Sequence, residues 1–284
     1  MDEKISIIMT SYNYAKYIQE AIISVKNQTY TNWELIIIDD ASTDNSLDII
    51  EDYLKDSRIK LVINEKNLGL AASLKKGISY AEGSWVAFLE SDDIFYPASL
   101  EKKMEAAKKG AEVIFTAAEG FQDKTKALAF QKHIEDINKY IVKLDRSKFI
   151  DNFKDIMYKT NIIPTFSVVM VKKELLQGLN FNPICKSALD YYLWAQLCFH
   201  KFYYIHENLT RWRLHKDSYL NRDKNSWIIK FLFDLTIYAE TIKNKNIFLR
   251  FLTLINYIRR KLIYISFSGK RLKISLFNNK IIFE

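Results

Sequence analysis

The chain has 284 residues, of which 49% are hydrophobic, 14% aromatic and 27% charged, with a formal net charge of +8. That composition excludes a disordered or low-complexity chain and provides for a sizeable core, in one large domain or one domain with an appendage. The basic balance favours phosphate-bearing or membrane-surface partners without choosing between them, and it equally describes a lysine-rich solvated face.

Residues 5–9 form a short, almost wholly apolar run, as expected of a strand buried on both faces. Residues 17–27 then place Ile18, Ala21, Ile22 and Val25 at helical spacing. A second strand is predicted over 33–38, ending in Asp39 and Asp40. A second helix follows over 46–54, with Ser42 or Asp44 available as its cap. A third strand at 59–63 and a third helix at 70–81 come next. The fourth strand, 85–89, ends in Glu90-Ser91-Asp92-Asp93. Such alternation predicts an α/β domain with a mostly parallel sheet flanked by helices. Between about 111 and 220 the pattern is more irregular, with further strands at 113–116 and 167–171. Beyond about 225 it turns aromatic, aliphatic and basic, with helices expected over 227–238 and 247–265. The expected organisation is therefore one domain over 1–222, in halves 1–110 and 111–222, followed by a helical basic extension over 223–284.

The N-terminus lacks the long apolar region and small-residue cleavage site of a signal peptide. Lys230, Asp234 and Arg250 keep every greasy segment short of the roughly 18 apolar residues of a spanning helix. A cytoplasmic protein is expected, with the inner face of the membrane as its one candidate surface. Cys185 and Cys198 form no C-x-x-C pair and are expected to be reduced thiols.

In open α/β sheets, ligands bind beyond the carboxyl ends of the strands. Three segments aim polar groups there: Thr10-Ser11-Tyr12-Asn13, Asp39-Asp40 and Glu90-Ser91-Asp92-Asp93. The carboxylates of the last repel one another unless a cation is present, and oxygen ligands of this kind suit Mg²⁺ or Mn²⁺. Helix capping by Ser91 or Asp92 explains the same residues about equally well. Asp40 can accept hydrogen bonds from a nucleobase or ribose, or can cap the next helix. Asp190, at the start of an apolar helical stretch, can serve as a general base or as a plain cap. Arg213 and His215 share one face of an extended segment and, with Ser218, can hold a diphosphate or form a basic surface loop. No G-x-G-x-x-G or G-x-x-x-x-G-K follows the first strand, which argues against dinucleotide and P-loop folds.

As an ordered set these motifs resemble the family 2 glycosyltransferases of the GT-A fold. The resemblance runs through residues 5–13, Gln28-Thr29-Tyr30, residues 35–40 with Ser42-Thr43-Asp44, Asn67-Leu68-Gly69, Ala81-Glu82-Gly83-Ser84 and the acidic cluster at 90–93. Asp190-Tyr191 with Leu193-Trp194, and Arg213-x-His215-x-x-Ser218, resemble acceptor-side motifs of the same family. The resemblance implies that Thr10, Tyr12, Asn13, Asp40, Asn67, Arg213 and His215 face a nucleotide-sugar donor. It implies that Asp92, with Glu90 and His215, holds Mn²⁺ or Mg²⁺, that Asp93 faces the ribose or donor sugar, and that Asp190 is the catalytic base. Glu90 stands where the first Asp of a D-x-D is more usual. Leu74 and Lys75 stand where many relatives carry Arg-Asn, and Leu189 where an acidic residue often precedes the base.

The activity so implied is inverting transfer of a sugar, with a UDP-sugar as the first choice of donor, to a saccharide or lipid-linked saccharide in surface polysaccharide or glycolipid assembly. The alternatives are a non-catalytic nucleotide-sugar-binding or scaffold protein of the same fold and, further off, a nucleotidyltransferase. The basic aromatic tail suits an interfacial segment on anionic lipid, or a packing appendage or dimer contact. No nucleic-acid recognition motif accompanies its lysines.

Overall fold

The computed structural model describes residues 3–124, 127–128, 131–132, 144–157, 161–182, 188–215 and 237, together with three strands within 264–283. The chain divides into two compact units, Met1–Ile237 and Tyr238–Glu284. Residues 216–236, where the sequence sets the domain boundary and the helix from 227, lie outside the described residues, as does Ser218.

The first unit opens as the sequence predicts. Strands β1 (Ile5–Ser11), β2 (Trp33–Asp39), β3 (Ile59–Ile63) and β4 (Trp85–Phe88) pair in parallel in the order β3-β2-β1-β4. Helices α1 (Ile18–Lys26), α2 (Ser46–Glu51) and α3 (Leu70–Tyr80) make the crossovers. Because side chains alternate across a strand, Ile5, Ile7 and Met9 pack on the α1 side, while Ile8, Ile36 and Ile38 pack with Leu74 and Ile78 of α3. Gly77 lets α3 lie flush on the sheet: a Cβ there would stand 2.6 Å from Ile8 Cγ2. At the amino edge, buried Glu34 accepts hydrogen bonds from Ser6 Oγ (2.6 Å), Glu82 N (2.8 Å) and Lys60 Nζ (2.9 Å). Burial alone would raise its pKa, but these donors outweigh that and leave it lowered.

The second half adds β5 (Ile94–Phe95), α4 (Ser99–Lys108), β6 (Val113–Phe121), β7 (Lys148–Phe149), α5 (Phe153–Met157), a 3₁₀ turn (Phe166–Val168), β8 (Val169–Lys172), α6 (Lys173–Leu176), α7 (Leu189–Gln196) and β9 (Phe202–Arg213). The sheet continues from β4 through β8, β6 and β9 to β5, with β7 also on β9. Strand β8 runs antiparallel to both neighbours, β4 and β6, so the sheet is mixed. The long strand β9 carries the chain back beside β5, which follows the acidic turn directly. Cys198 is buried in the core, and Cys185 lies outside the described residues.

The second unit contains an antiparallel meander of β10 (Tyr264–Ser268), β11 (Arg271–Leu276) and β12 (Asn279–Phe283). This corrects the expectation of a wholly helical extension. In the sequence, Leu272, Ile274 and Leu276 alternate with Arg271, Lys273 and Ser275, the period of a strand, and Gly269-Lys270 is hairpin-loop chemistry. Of the helix expected over 247–265, residues 247–263 lie outside the described residues, and 264–265 begin β10. No helix among the described residues is long and apolar enough to cross a membrane.

Candidate active site

The loops beyond β1 and β2 are tied to each other. Asn13 N donates to Ser42 Oγ (2.9 Å), and Asn13 Oδ1 accepts from Thr43 N (2.7 Å). Ala15 N donates to Asp44 Oδ2 (3.0 Å), and Tyr14 N to Ser46 Oγ (3.1 Å). Asn13 (φ 60°) and Ala41 (φ 63°) both sit in the left-handed region, where a side chain costs energy and the surrounding bonds must hold it. Thr10 and Tyr12 are half-buried at the end of β1, and Asn67 is exposed between β3 and α3.

Asp40 does something the sequence did not suggest. Its carboxylate accepts from Asn64 Nδ2, Leu68 N and Gly69 N, each at 2.8 Å. It thereby holds the loop that enters α3. Asn13 is likewise turned to its neighbouring loop, so both residues shape the platform through its backbone.

The acidic turn follows β4. Glu90 N donates to Ser167 Oγ (2.9 Å), and Thr165 Oγ1 donates to the Glu90 carboxylate. The Asp93 carboxylate turns inward, accepting from Arg213 N (2.9 Å) and, more weakly, from Thr165 Oγ1 (3.4 Å). Asp93 is fully buried, which corrects the expectation that it faces the donor. Asp92 Oδ2 lies 2.9 Å from His215 Nε2. Desolvation and the neighbouring Asp92 carboxylate push Glu90 up to about 8. Asp93 is raised well above the carboxylate range by burial first, then by Asp92 and Glu90. Thr165 and Ser167, which brace this turn, had no signal in the sequence beyond a strand entry.

Arg213 bonds within the protein. Its Nε donates to the Asp92 carbonyl (2.7 Å), Nη1 to Gln122 Oε1 (3.2 Å) and Nη2 to Glu20 Oε2 (2.9 Å). The guanidinium lies 4.6 Å from the Tyr17 ring centroid and 4.5 Å from that of Phe121. Three of its N–H donors thus clamp the acidic turn to α1 and to the end of β6.

Asp190 lies in the first turn of α7. Asn161 Nδ2 donates to its Oδ2 (3.2 Å), and the Asn161 amide is itself oriented by Ile163 N, which donates to its Oδ1 (3.0 Å). Desolvation raises Asp190 to about 6, with Asn161 and the Tyr191 backbone working against the rise. Its charge also reaches Glu90. The fold thus brings Asp190 within electrostatic range of residues a hundred positions earlier.

The donor set suits a hard divalent cation: three carboxylates in one turn, two of them unable to ionise easily, with a histidine on the third. Among the described residues no group of three His, Cys, Asp or Glu side chains is placed to hold a metal ion by itself. A cation held by one or two protein carboxylates takes its other ligands from substrate phosphates and water.

The Glycosyl transferase family 2 model matches residues 6–175, and the chain belongs to that family. An uncharacterized glycosyltransferase of Methanocaldococcus jannaschii, MJ1057, is 30% identical over 236 residues, 80% of this chain and 77% of that protein. The Escherichia coli UDP-Glc:alpha-D-GlcNAc-diphosphoundecaprenol beta-1,3-glucosyltransferase WfgD is 44% identical over 108 residues, 38% of this chain and 42% of its own length. Two Bacillus subtilis relatives, at 44% identity, are spanned over 40% and 39% of their length. Among solved structures, Staphylococcus aureus TarS 1–349 in complex with UDP-GlcNAc superposes with a TM-score of 0.64 at 18% identity, over 90% of this chain and 72% of that one. The Pyrobaculum calidifontis mannosyltransferase PcManGT, in complex with GDP-Man and Mn²⁺, gives 0.58 at 16% identity, over 90% and 69%. These likenesses establish the fold.

Proposed function

We propose that the chain is an inverting glycosyltransferase that passes a sugar from a nucleotide diphosphate, UDP by preference, to an acceptor hydroxyl in polysaccharide or glycolipid assembly. The observation that carries this reading is that Asp190 stands within electrostatic reach of Glu90 in the acidic turn. One is a carboxylate raised to about 6, the range of a general base; the other is a place for a diphosphate with its cation. The names of WfgD, with its UDP-Glc donor and diphosphoundecaprenol-linked acceptor, and of the TarS complex with UDP-GlcNAc support the donor and acceptor classes. The Mn²⁺ in PcManGT supports the metal.

In this mechanism the loops beyond β1 and β2 seat the nucleotide, with Thr10 and Tyr12 on its path and Asn13 and Asp40 holding the loops in place. Asp92, joined by His215 and Glu90, would hold Mg²⁺ or Mn²⁺, which when bound neutralises charge gathering on the departing diphosphate. Arg213, through the Asp92 carbonyl, fixes where the turn stands. Asp190 removes the proton of the acceptor hydroxyl as it attacks, and Asn161 holds that carboxylate in place. Attack opposite the leaving group inverts the anomeric centre through an oxocarbenium-like state.

The test is Asp190→Asn, with donor binding measured by titration calorimetry with and without Mn²⁺. The expected result is donor affinity within about twofold and a loss of about 10²–10⁴ in kcat. Full transfer activity in the variant would remove Asp190 from the mechanism, and donor binding indifferent to metal would reduce the acidic turn to a structural role.

A further inference from the structure

Arg213 and His215, at and just beyond the end of β9, both reach Asp92. The Arg213 Nε donates to the Asp92 carbonyl (2.7 Å), and His215 Nε2 lies 2.9 Å from Asp92 Oδ2. Both also meet one ring, that of Tyr17, the residue before α1. The Tyr17 centroid lies 5.0 Å from that of His215, with the planes inclined at 45°, and 4.6 Å from the Arg213 guanidinium. Tyr17, Asp92, Arg213 and His215 are all buried, so these are packed contacts rather than surface ones. The place of Tyr17 is set from elsewhere. Its N donates to the Tyr14 carbonyl (2.9 Å), Tyr14 N donates to Ser46 Oγ (3.1 Å) and Ala15 N to Asp44 Oδ2 (3.0 Å). The turn from Tyr14 to Tyr17 is thus anchored on the loop beyond β2. The Tyr14 ring adds an edge contact to His215, at 6.2 Å between centroids and 82° between planes.

We infer that Tyr17 is a positioning residue for His215: its ring, placed by the loop beyond β2, holds the imidazole plane so that Nε2 stays aimed at the Asp92 carboxylate and at a cation shared with it. The inference rests on the metal-dependent reading of the site for what His215 does, and on the ring geometry alone for what Tyr17 does. A bond at Nε2 does not by itself set the plane of an imidazole, and a turned ring points its nitrogen lone pair away from the shared ligand. Arg213 has no such need of the ring. Its backbone N and three of its side-chain N–H groups are bonded to Asp93, Asp92, Gln122 and Glu20. Loss of the Tyr17 ring is therefore felt through His215. The same residue then joins the loops beyond β1 and β2 to the acidic turn, two parts of the site that come from different ends of the unit.

The experiment joins a readout without metal to one with it, on the full chain. The chain has 4 histidines, so the ring protons of His215 are assigned in the proton NMR spectrum by their loss in His215→Ala. The wild type should show Overhauser contacts between the His215 and Tyr17 rings, and their absence would overturn the assignment whatever the variants do. The His215 ring protons should shift in Tyr17→Leu, which keeps apolar volume but removes the ring, and stay in place in Tyr17→Phe; no shift in Tyr17→Leu would overturn the proposal. The second readout is UDP affinity by titration calorimetry with and without Mn²⁺. The gain that Mn²⁺ brings should fall about tenfold in Tyr17→Leu and be kept in Tyr17→Phe. It should fall no further when Tyr17→Leu is added to His215→Ala, because the two act as one unit. Losses that add in the double variant would make Tyr17 a packing residue and overturn the proposal. A wild type whose UDP affinity ignores Mn²⁺ would instead sink the metal-dependent reading, with the histidine resonances still deciding for or against Tyr17.

Discussion

Asp190 reads in the sequence as a helix-start carboxylate of no special kind. Its chemistry comes from its surroundings, because desolvation raises it to about 6. A base must be ionised to act, so kcat/KM for transfer should rise with pH and level off above about 6. Asn161→Ala removes a hydrogen bond to the ionised form and should move that inflection upward. A flat profile from pH 5 to 8 would contradict the assignment. Lys103 shows the opposite case, a residue the sequence counts among solvated lysines. It is fully buried, its Nζ has no hydrogen-bond partner among the described residues, and it lies 4.4 Å from the Phe95 ring centroid. Burial lowers its pKa to about 7. The unfolded chain therefore binds one more proton between about pH 7 and 10.5, and stability should rise with pH across that window. Lys103→Met should flatten this rise in urea titrations and stabilise the fold at neutral pH by about 1–4 kcal/mol.

At the scale of elements, the parallel half was legible because its strands are continuous apolar runs and its helices keep one apolar face. The seat of α3 on β1 depends on Gly77. Gly77→Ala should cost about 1–3 kcal/mol, the usual cost of overpacking, since Ile8 Cγ2 stands 2.6 Å from the added carbon. A midpoint unchanged in thermal unfolding would mean that α3 can slide. The second half was harder to read. Strand β8 is only four residues long, and its antiparallel place between β4 and β6 depends on pairing partners far away in the chain. The meander at 264–283 was missed for another reason: its alternating apolar residues follow directly on a stretch with helical spacing, and short apolar runs do not declare their period.

For the molecule as a whole, the charge of +8 leads to one expectation: attraction to an anionic surface. The full chain should co-sediment with phosphatidylglycerol vesicles at low salt and release at high salt, and charge reversal at Arg271 and Lys273 should weaken the attachment. No sedimentation with anionic vesicles at low salt would assign the tail to packing, and equal sedimentation with neutral vesicles would remove the electrostatic attraction.

The sequence by itself determined the α/β alternation and the carboxyl-edge placement of three polar segments, because these follow from local periodicity and from motifs short enough to read along the chain. Only the tertiary structure decided which polar groups face outward. It turned Asp93 and Arg213 inward, gave Asp40 to a neighbouring loop, and recruited Thr165, Ser167 and Asn161 from segments with no motif. The physical reason is that a carboxylate or guanidinium in a crowded, desolvated turn must satisfy its hydrogen bonds with whatever the fold brings near, and those partners are set by packing between distant segments.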